Sequence, residues 1–237
     1  MQTVKTQLRA FKLSGMVQSL EERVAYATEK SLPYTDFLSL LLEDETNNRS
    51  DNSYKKRCAK AKLPTYKKIE DFDFAFQPSI DKRVINTALT CQFIRDKKNI
   101  VFIGNPGVGK THLSIAIAIK ALQKGHKVLF TTTAHMLHDL HTSKADNSYH
   151  KKLEFYLTPD LIIVDELGFK KVPNHSADDF FEVISRRYEQ GSFDQWGDIF
   201  ADNILASAIL DRIIHYSEVI KINGPSFRQK DLKKTDK

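Results

Sequence analysis

The fold is decided by residues 99–113, which read NIVFIGNPGVGKTHL. The opening apolar run is typical of a short buried strand, and the sequence from Thr111 to Gly125, THLSIAIAIKALQKG, is typical of a helix. Between them GNPGVGKT matches the phosphate-loop pattern G-x-x-x-x-G-K-S/T in the strand–loop–helix context that the pattern requires. A glycine-rich turn with a chance lysine would rarely have both flanking elements, so we expect a nucleotide-binding site here.

Each residue type in this loop suits phosphate binding. Glycines allow the backbone to wrap closely around phosphates, so that its N–H groups and the helix N-terminus form an anion cradle. We expect Lys110 to place its ammonium group on the β- and γ-phosphates and the hydroxyl of Thr111 to bind Mg²⁺. The predicted nucleotide-binding residues are Gly104, Asn105, Pro106, Gly107, Val108, Gly109, Lys110 and Thr111.

An acidic motif, LIIVDELG, begins at Leu161. Its apolar residues predict a buried strand, and Asp165 at the end of that strand is placed to bind Mg²⁺ directly or through water. Glu166 beside it is the natural base for an attacking water. The alternative interpretation of Glu166 is an exposed charge at a strand end. An Asp-Glu pair favours nucleotide hydrolysis over phosphoryl transfer to a metabolite.

The chain changes character near residue 68. Before this point, apolar residues at helical spacing in VQSLEERVAYATEK and FLSLLLEDE predict helices. Beyond it strands and helices alternate, which predicts an α/β fold with a parallel sheet. We therefore predict a helical domain for DNA or partner binding over 1–68 and a nucleotide-binding domain over 69–237. The latter is predicted to contain a helix over 79–97 and strands over 99–104, 127–133, 160–166 and 218–223.

Basic residues concentrate at the end of the helical region. The net charge of the chain is +6, and the stretch from Tyr54 to Lys68, YKKRCAKAKLPTYKK, contains no acidic residue. Such a stretch either binds DNA phosphates in a sequence-independent, salt-sensitive manner or forms a solvated helix face. The candidate DNA-binding residues are Lys55, Lys56, Arg57, Lys60 and Lys62.

The remaining composition is that of a cytoplasmic protein. No apolar run approaches the length of a membrane span, and the N-terminus lacks the apolar core and cleavage site of a signal peptide. The two cysteines, Cys58 and Cys91, match neither a disulfide framework nor a zinc-binding spacing. We therefore expect reduced thiols and no membrane partner.

Four stretches together resemble the IstB-type transposition helper ATPases: GNPGVGKTHLSIAIAIKA, LIIVDELGF, ISRRYE and WGDIFADNILASAILDRIIHYSEVIKINGPSFR. These proteins belong to the AAA+ class of P-loop NTPases and are related to the DnaC and DnaI helicase loaders. The resemblance extends over nearly the whole chain. It implies a helical N-terminal domain before an AAA+ domain, with ATP and Mg²⁺ as cofactors. It also implies a homo-oligomer that assembles on duplex DNA and cooperates with the transposase of the same element.

The resemblance also implies roles for two arginines. Arg212, in ILDRI, matches the place from which such proteins donate an arginine finger to a neighbouring subunit, and is therefore a predicted catalytic residue together with Glu166. Arg228, in GPSFR, matches a C-terminal arginine that senses the nucleotide. The alternative for both is a surface salt bridge. Two other functions stay open, a replicative helicase loader and a DNA-binding relic that does not hydrolyse ATP.

One departure from the family concerns a strand. In the family a strand with a polar tip follows the segment RRYE-x-GS, whereas here Ser192 runs directly into Phe193. The resemblance places that strand between the phosphate-loop strand and the Asp-Glu strand, with its tip positioning the attacking water. We therefore expect one central strand to be deleted near residue 192 and hydrolysis to be weak or absent.

Overall fold

The computed structural model describes residues 1–167, 174–189 and 217–229. Two predictions fall on positions outside these ranges: the deletion after Ser192 and the arginine finger Arg212. The chain divides into two compact units, Met1–Ala59 and Lys60–Lys237. The domain boundary at residue 68 stays a prediction. In the described ranges no helix is both long enough and apolar enough to cross a membrane.

The first unit is built from helices, which confirms the predicted helical N-terminal region. Helix α1 covers Gln2–Ala10, α2 covers Ser14–Lys30, and α3 covers Tyr34–Ala61 and continues into the second unit. The helices pack through a small apolar cluster, because their apolar residues recur at helical spacing. This cluster contains Met16, Leu20 and Leu41, with Leu8, Leu13, Val24 and Phe37 packed against it.

A buried carboxylate holds α2 against α3. Glu45 of α3, which is 5% exposed, accepts hydrogen bonds from the backbone N–H groups of Gly15 at 2.7 Å and Met16 at 3.2 Å. Its other oxygen accepts from Arg49 Nε at 2.7 Å. These amides belong to the first turn of α2 and have no partner within that helix, so Glu45 takes the place of an N-terminal cap.

The second unit alternates helices and parallel strands, which confirms the predicted α/β fold. Its phosphate loop lies between β1 and α6. Two 3-10 turns, Ile69–Asp71 and Phe227–Gln229, flank the described part of this unit. The other elements are α4 (Lys82–Leu89), α5 (Gln92–Arg95), β1 (Asn99–Gly104), α6 (Lys110–Gln123), β2 (Val128–Thr132), α7 (Thr133–Ala145), α8 (Tyr149–Leu157), β3 (Leu161–Asp165), α9 (Asn174–Glu189) and β4 (Ser217–Ile222).

The described strands form two separate parallel pairs. Strand β1 pairs with β4, and β2 pairs with β3. Within the described ranges, no ladder joins β1 to β3. All five residues of β3 are only half-buried, whereas Val128 to Thr131 of β2 are buried. A central strand of a parallel sheet is normally buried on both faces, so β3 is less well covered than β2. The predicted deletion near residue 192 lies outside the described ranges and stays a prediction.

Helix α6 connects the two strand pairs through apolar packing. Leu113 lies in the cluster that contains Ile220 and Ile222 of β4. Two and six residues further along α6, Ile115 and Ile119 share a cluster with Phe130 of β2, against which Ile163 of β3 also packs. The spacing between the strand pairs is therefore set by side chains on one helix.

The prediction of a single helix over 79–97 is wrong. Helix α4 begins at Lys82, because the side chain of Asp81 caps it by accepting a hydrogen bond from the backbone N–H of Arg83 at 2.8 Å. The helix ends at Leu89, and Cys91 adopts a left-handed conformation with φ 59° before the short helix α5. A non-glycine residue is rare in this conformation, so no residue type in this segment predicted the break.

We expect Glu45→Gln to destabilise the protein by about 1–3 kcal/mol, since a charged acceptor for three donors is lost. Burial alone would raise the pKa of Glu45, but the hydrogen bonds from Arg49, Met16 and Gly15 outweigh it and hold the pKa below its ordinary value. Because the pKa of Glu45 is lower in the folded state, its charge stabilises the folded protein at pH values above the ordinary carboxyl pKa. This stabilisation is lost as the pH falls through the folded-state pKa. Urea unfolding at neutral and acidic pH should show the variant and the natural protein converging in acid.

Glu43→Gln provides the matched control, because Glu43 lies on the same helix and is exposed. We expect its unfolding free energy to stay within about 0.5 kcal/mol of the natural protein. Equal effects of the two substitutions would contradict the capping role of Glu45.

Candidate nucleotide-binding site

The phosphate loop is anchored by one buried residue and shaped by two glycines. Val108, at 1% exposure, packs in the cluster that contains Leu113. On either side of it, Gly107 has φ +80° and Gly109 has φ +101°, conformations that residues with a Cβ rarely adopt. The loop backbone is therefore held in a curved path that leaves Asn105 and Pro106 exposed.

Lys110 lies at the start of α6 and its ammonium group lies against the loop. Its Nζ donates hydrogen bonds to the carbonyl oxygens of Gly104 at 2.8 Å and Asn105 at 2.9 Å. The charge is therefore concentrated where the strand ends and the loop begins. The structure thus places the predicted phosphate-binding ammonium group against the carbonyl groups at the start of the loop.

Thr111 connects the loop to the acidic motif. Its hydroxyl donates a hydrogen bond of 2.8 Å to Oδ2 of Asp165, although the two residues are 54 positions apart. The second oxygen, Oδ1, accepts from the backbone N–H of Glu166 at 2.9 Å. The hydroxyl of Thr133 at the start of α7 donates to the carbonyl of Asp165 at 3.2 Å. The two predicted Mg²⁺ ligands therefore lie together at the carboxyl ends of β1 and β3.

Glu166 is exposed and adopts a left-handed conformation with φ 60°. Non-glycine residues in sparsely populated backbone regions cluster at functional sites, where the surrounding structure maintains them. The structure thus places Glu166 at the strand end where the sequence predicted it. Its role as the base stays a prediction.

A C-terminal segment packs on the loop. Strand β4 lies beside β1, with Ile222 opposite Gly104, so the residues that follow β4 continue over the loop. The backbone N–H of Phe227 donates to the carbonyl of Gly107 at 2.9 Å. The Ser226 hydroxyl oxygen lies 2.1 Å from the position that a Cβ on Gly107 would occupy. Arg228, the predicted nucleotide sensor, is exposed and follows directly.

The linker before α4 contacts the loop as well. The ring of Phe72 lies 2.5 Å from the position that a Cβ on Gly109 would occupy, and it meets His112 edge-on at 5.3 Å between ring centroids. Nε2 of His112 is 2.8 Å from the carbonyl oxygen of Lys68. Sequence reasoning missed Phe72 and Ser226. The only available signals were the aromatic spacing of IEDFDF and the small residues of GPS before Phe227.

A half-buried arginine holds the turn that precedes the strand carrying Asp165. Nη1 of Arg187 in α9 donates to the carbonyl oxygens of Tyr156 at 3.1 Å, Leu157 at 3.1 Å and Pro159 at 2.8 Å. These carbonyls lie at the end of α8, where helix carbonyls lack partners. Burial lowers the pKa of Arg187. This arginine thus fixes the turn that leads into β3.

These groups fit a nucleoside triphosphate with Mg²⁺. The ammonium group of Lys110 supplies positive charge, and Thr111 and Asp165 supply oxygen ligands. Mg²⁺ prefers such oxygens and retains several waters when it binds to phosphates. The donor set is therefore compatible with both predicted cofactors.

The predicted DNA-binding residues are distant in sequence from the phosphate loop and the acidic motif. Lys55, Lys56 and Arg57 belong to the first unit, near the end of α3. Both lysines are exposed, and Nη1 of Arg57 donates to the Ser53 hydroxyl at 2.6 Å. Lys60 and Lys62 belong to the second unit, and both are exposed.

The family model described as IstB-like ATP binding protein matches residues 6–235. The chain belongs to this family. A relative from Pseudomonas aeruginosa, named as an ATP-binding protein of insertion sequence IS21, is 36% identical over 242 residues, covering 99% of this chain and 90% of the relative. Another relative, from Geobacillus stearothermophilus and named for insertion sequence IS5376, is 38% identical over 227 residues, covering 92% of this chain and 90% of the relative.

Solved structures confirm the AAA+ fold predicted for this IstB-like chain. The crystal structure of the DnaC helicase loader matches with a TM-score of 0.51 and 21% identity, over 68% of this chain and 96% of that chain. The structure of AMPPCP-bound DnaA from Aquifex aeolicus matches with a TM-score of 0.53 and 18% identity, over 74% of this chain and 57% of that chain. At these identities the similarity establishes the fold.

We expect Gly107→Ala to lower both stability and nucleotide affinity. The new Cβ would lie 2.1 Å from Ser226 Oγ in a backbone with φ +80°, so the loop and the C-terminal segment must separate. Gly125→Ala is the matched control, because Gly125 has φ +95° but no atom within 4 Å of its Cβ position. The unfolding free energy of the control should fall only by the cost of placing a residue with a Cβ in a left-handed backbone, about 1–2 kcal/mol.

Urea unfolding and the binding of a fluorescent ATP analogue measure the two effects separately. We expect Gly107→Ala to be less stable than Gly125→Ala and to bind the analogue more weakly. Equal losses for the two variants, with nucleotide affinity retained, would show that Ser226 does not shape the loop.

Proposed function

We propose that this chain is an ATP-dependent, DNA-binding helper of transposition that assists the transposase of its own insertion sequence. One observation carries the nucleotide-binding part, the hydrogen bond that brings Thr111 of the phosphate loop to Asp165. The part that concerns transposition is supported by the family and by relatives named for insertion sequences. The proposed location is the cytoplasm, where the DNA is.

In this proposal each residue of the site has a separate task. The loop amides and Lys110 bind the β- and γ-phosphates, and Thr111 with Asp165 holds Mg²⁺, which neutralises charge on the phosphate oxygens when bound. Glu166 accepts a proton from the attacking water, because its exposed carboxylate follows directly after the Mg²⁺ ligand. The nucleotide thus lies between the β1 and β3 ends.

Two arginines complete the proposed site in an oligomer. Arg212 of a neighbouring subunit would stabilise charge on the transferred phosphoryl group, so hydrolysis would require assembly. Arg228 would sense the nucleotide, since the amide of the preceding residue, Phe227, is bonded to the loop at Gly107. ATP binding would favour an oligomer on DNA, and hydrolysis would release it.

We further propose that hydrolysis is slow in this particular chain. The described strands form two separate pairs, and a strand with a water-positioning polar tip would belong between them. Adjacent strands lie about 4.8 Å apart, and a misplacement of about 1 Å can reduce a rate on the order of a hundredfold. Nucleotide affinity does not depend on that tip, because the phosphate-loop groups lie on β1 and α6.

Duplex DNA is the proposed macromolecular ligand. Lys55, Lys56 and Arg57, followed by Lys60 and Lys62, place positive charge along and just after the last turns of α3. Such a row neutralises backbone phosphates without reading sequence. The net charge of +6 favours the same partner.

The helicase-loader function has fold-level support only, because DnaC and DnaI are each 21% identical to this chain. The neighbouring gene distinguishes the two functions. A transposase reading frame beside this gene favours transposition. A chain that binds DNA and ATP but has no turnover under any condition would be the non-hydrolysing relic.

We expect the natural chain to bind ATP with little turnover, and insertion of a family-type strand between Ser192 and Phe193 to raise turnover, most strongly with duplex DNA. The physical reason is that the inserted strand pairs with β1 and β3 and supplies the water-positioning tip. Steady-state phosphate release, with and without DNA, measures the effect.

Lys110→Ala in the restored chain is the control, since it removes the phosphate-binding ammonium group and should abolish turnover. DNA-stimulated turnover by the natural chain that disappears in Lys110→Ala would show that the sheet functions without the strand. A restored chain that gains neither stability nor turnover would refute our account of the gap.

Reversing the charges of Lys55, Lys56 and Arg57 together to Glu should lower DNA affinity. Each lost phosphate contact reduces the slope of log affinity against log salt by about 0.9. Fluorescence anisotropy with a labelled duplex over a salt series measures the slope. An unchanged slope would exclude these residues from the DNA interface.

A further inference from the structure

Two lysines from distant parts of the chain converge on one exposed aromatic ring in the second unit. Nζ of Lys62 lies 4.9 Å from the ring centroid of Phe155, and Nζ of Lys152 lies 5.8 Å from the same centroid. Phe155 is 38% exposed. We call Lys62, Lys152 and Phe155 the lysine–phenylalanine cluster. Ammonium groups within about 6 Å of an aromatic face are attracted to its negative charge.

Both lysines are held in position by the core. Lys62 follows directly after α3, and the next residue, Leu63, packs against the cluster of Ile115 and Ile119. Lys152 is followed by Leu153, which is 1% exposed and anchors α8. The backbone positions from which the two ammonium groups converge are therefore fixed by the core of this unit.

The surroundings of the cluster contain charges of both signs. Lys60 and Lys151 are exposed near it in sequence. The acidic neighbours are Glu154, which is exposed, and Asp139, whose Oδ2 accepts from Lys152 at 3.0 Å. Since Asp139 neutralises part of the charge of Lys152, Lys62 is the principal cation that faces a ligand.

Other cation–aromatic pairs in the described ranges lack this convergence. Lys82 lies 5.1 Å from the ring centroid of Phe74, as a single lysine over a single ring. Lys144 lies 5.2 Å from the ring centroid of Tyr149, and its Nζ is also 2.7 Å from Asp179. Among the residues described, two ammonium groups share one ring only at Phe155.

We propose that the lysine–phenylalanine cluster binds a backbone phosphate of duplex DNA, with Phe155 as a positioning residue. This inference rests on the proposed DNA binding and deepens it by joining Lys152 and Phe155 to Lys62 in one phosphate contact. The ring holds the ammonium groups together before DNA arrives, so less side-chain freedom is lost on binding. Lys62, with the part of the Lys152 charge that Asp139 leaves uncompensated, complements the single negative charge of a phosphodiester and reads no base.

The test compares Lys62→Gln and Phe155→Leu, using anisotropy of a fluorescein-labelled duplex in salt from about 50 to 200 mM. Lys62→Gln removes a charge, so the salt slope should fall by about 0.9 and the affinity by about three- to tenfold. Phe155→Leu retains an apolar side chain but loses the aromatic face, so the affinity should fall about two- to fivefold at an unchanged slope.

Lys82→Gln is the matched control, because it removes an exposed lysine that also lies over a phenylalanine ring. It should leave affinity and slope unchanged, and a thermal melt of each variant checks that the fold is intact. A Lys62→Gln variant with the natural slope and affinity, or a Lys82→Gln variant with an equal loss, would overturn the inference.

The binding experiment distinguishes failure of the proposed DNA binding from failure of the proposed cluster. If the natural chain does not bind the duplex at low salt, the DNA-binding function itself is refuted, and this inference with it. If the natural chain binds and only the variants of the cluster are unaffected, DNA binding stands and its contacts lie elsewhere. Binding of an acidic polypeptide in place of DNA would likewise overturn the assignment.

Discussion

The hydrogen bond between Thr111 and Asp165 joins the two halves of the nucleotide site. The loop belongs to the β1–β4 pair and the acidic residues belong to the β2–β3 pair, and no described ladder connects these pairs. Helix α6 is the second connection, since its apolar residues pack against both. Among the described residues, the loop and the carboxylates are therefore held together by side-chain packing on α6 and by one hydroxyl.

Contacts from both ends of the second unit stabilise the phosphate loop. Phe72 comes from the linker before α4, and Ser226 and Phe227 come from the segment after β4. Both contacts are made against glycines, where backbone and neighbour approach more closely than a Cβ would allow. A change in loop conformation must therefore be transmitted to both segments, one leading toward the helical unit and the other carrying Arg228.

The parts of this structure that could be predicted from sequence are those with local causes. Strand β1, the loop and the strand that ends at Asp165 follow from apolar runs and a fixed glycine spacing. The break at Cys91 had no such signal, because its backbone conformation is imposed by packing and not by residue type. Similarly, the contacts of Ser226 with Gly107 and of Lys62 with Phe155 join residues about a hundred positions apart. Such pairs have no periodicity to detect in a single sequence.

The left-handed backbone of Glu166 lowers stability at a position where a catalytic carboxylate is predicted. An L-residue with a side chain loses about 1–2 kcal/mol in this conformation, and glycine would avoid that cost. A glycine there would, however, carry no carboxylate at the strand end. In a lineage that had ceased to hydrolyse ATP, random substitution would be free to relieve the strain. The residue that close relatives carry at position 166 should therefore show whether selection maintained ATP hydrolysis.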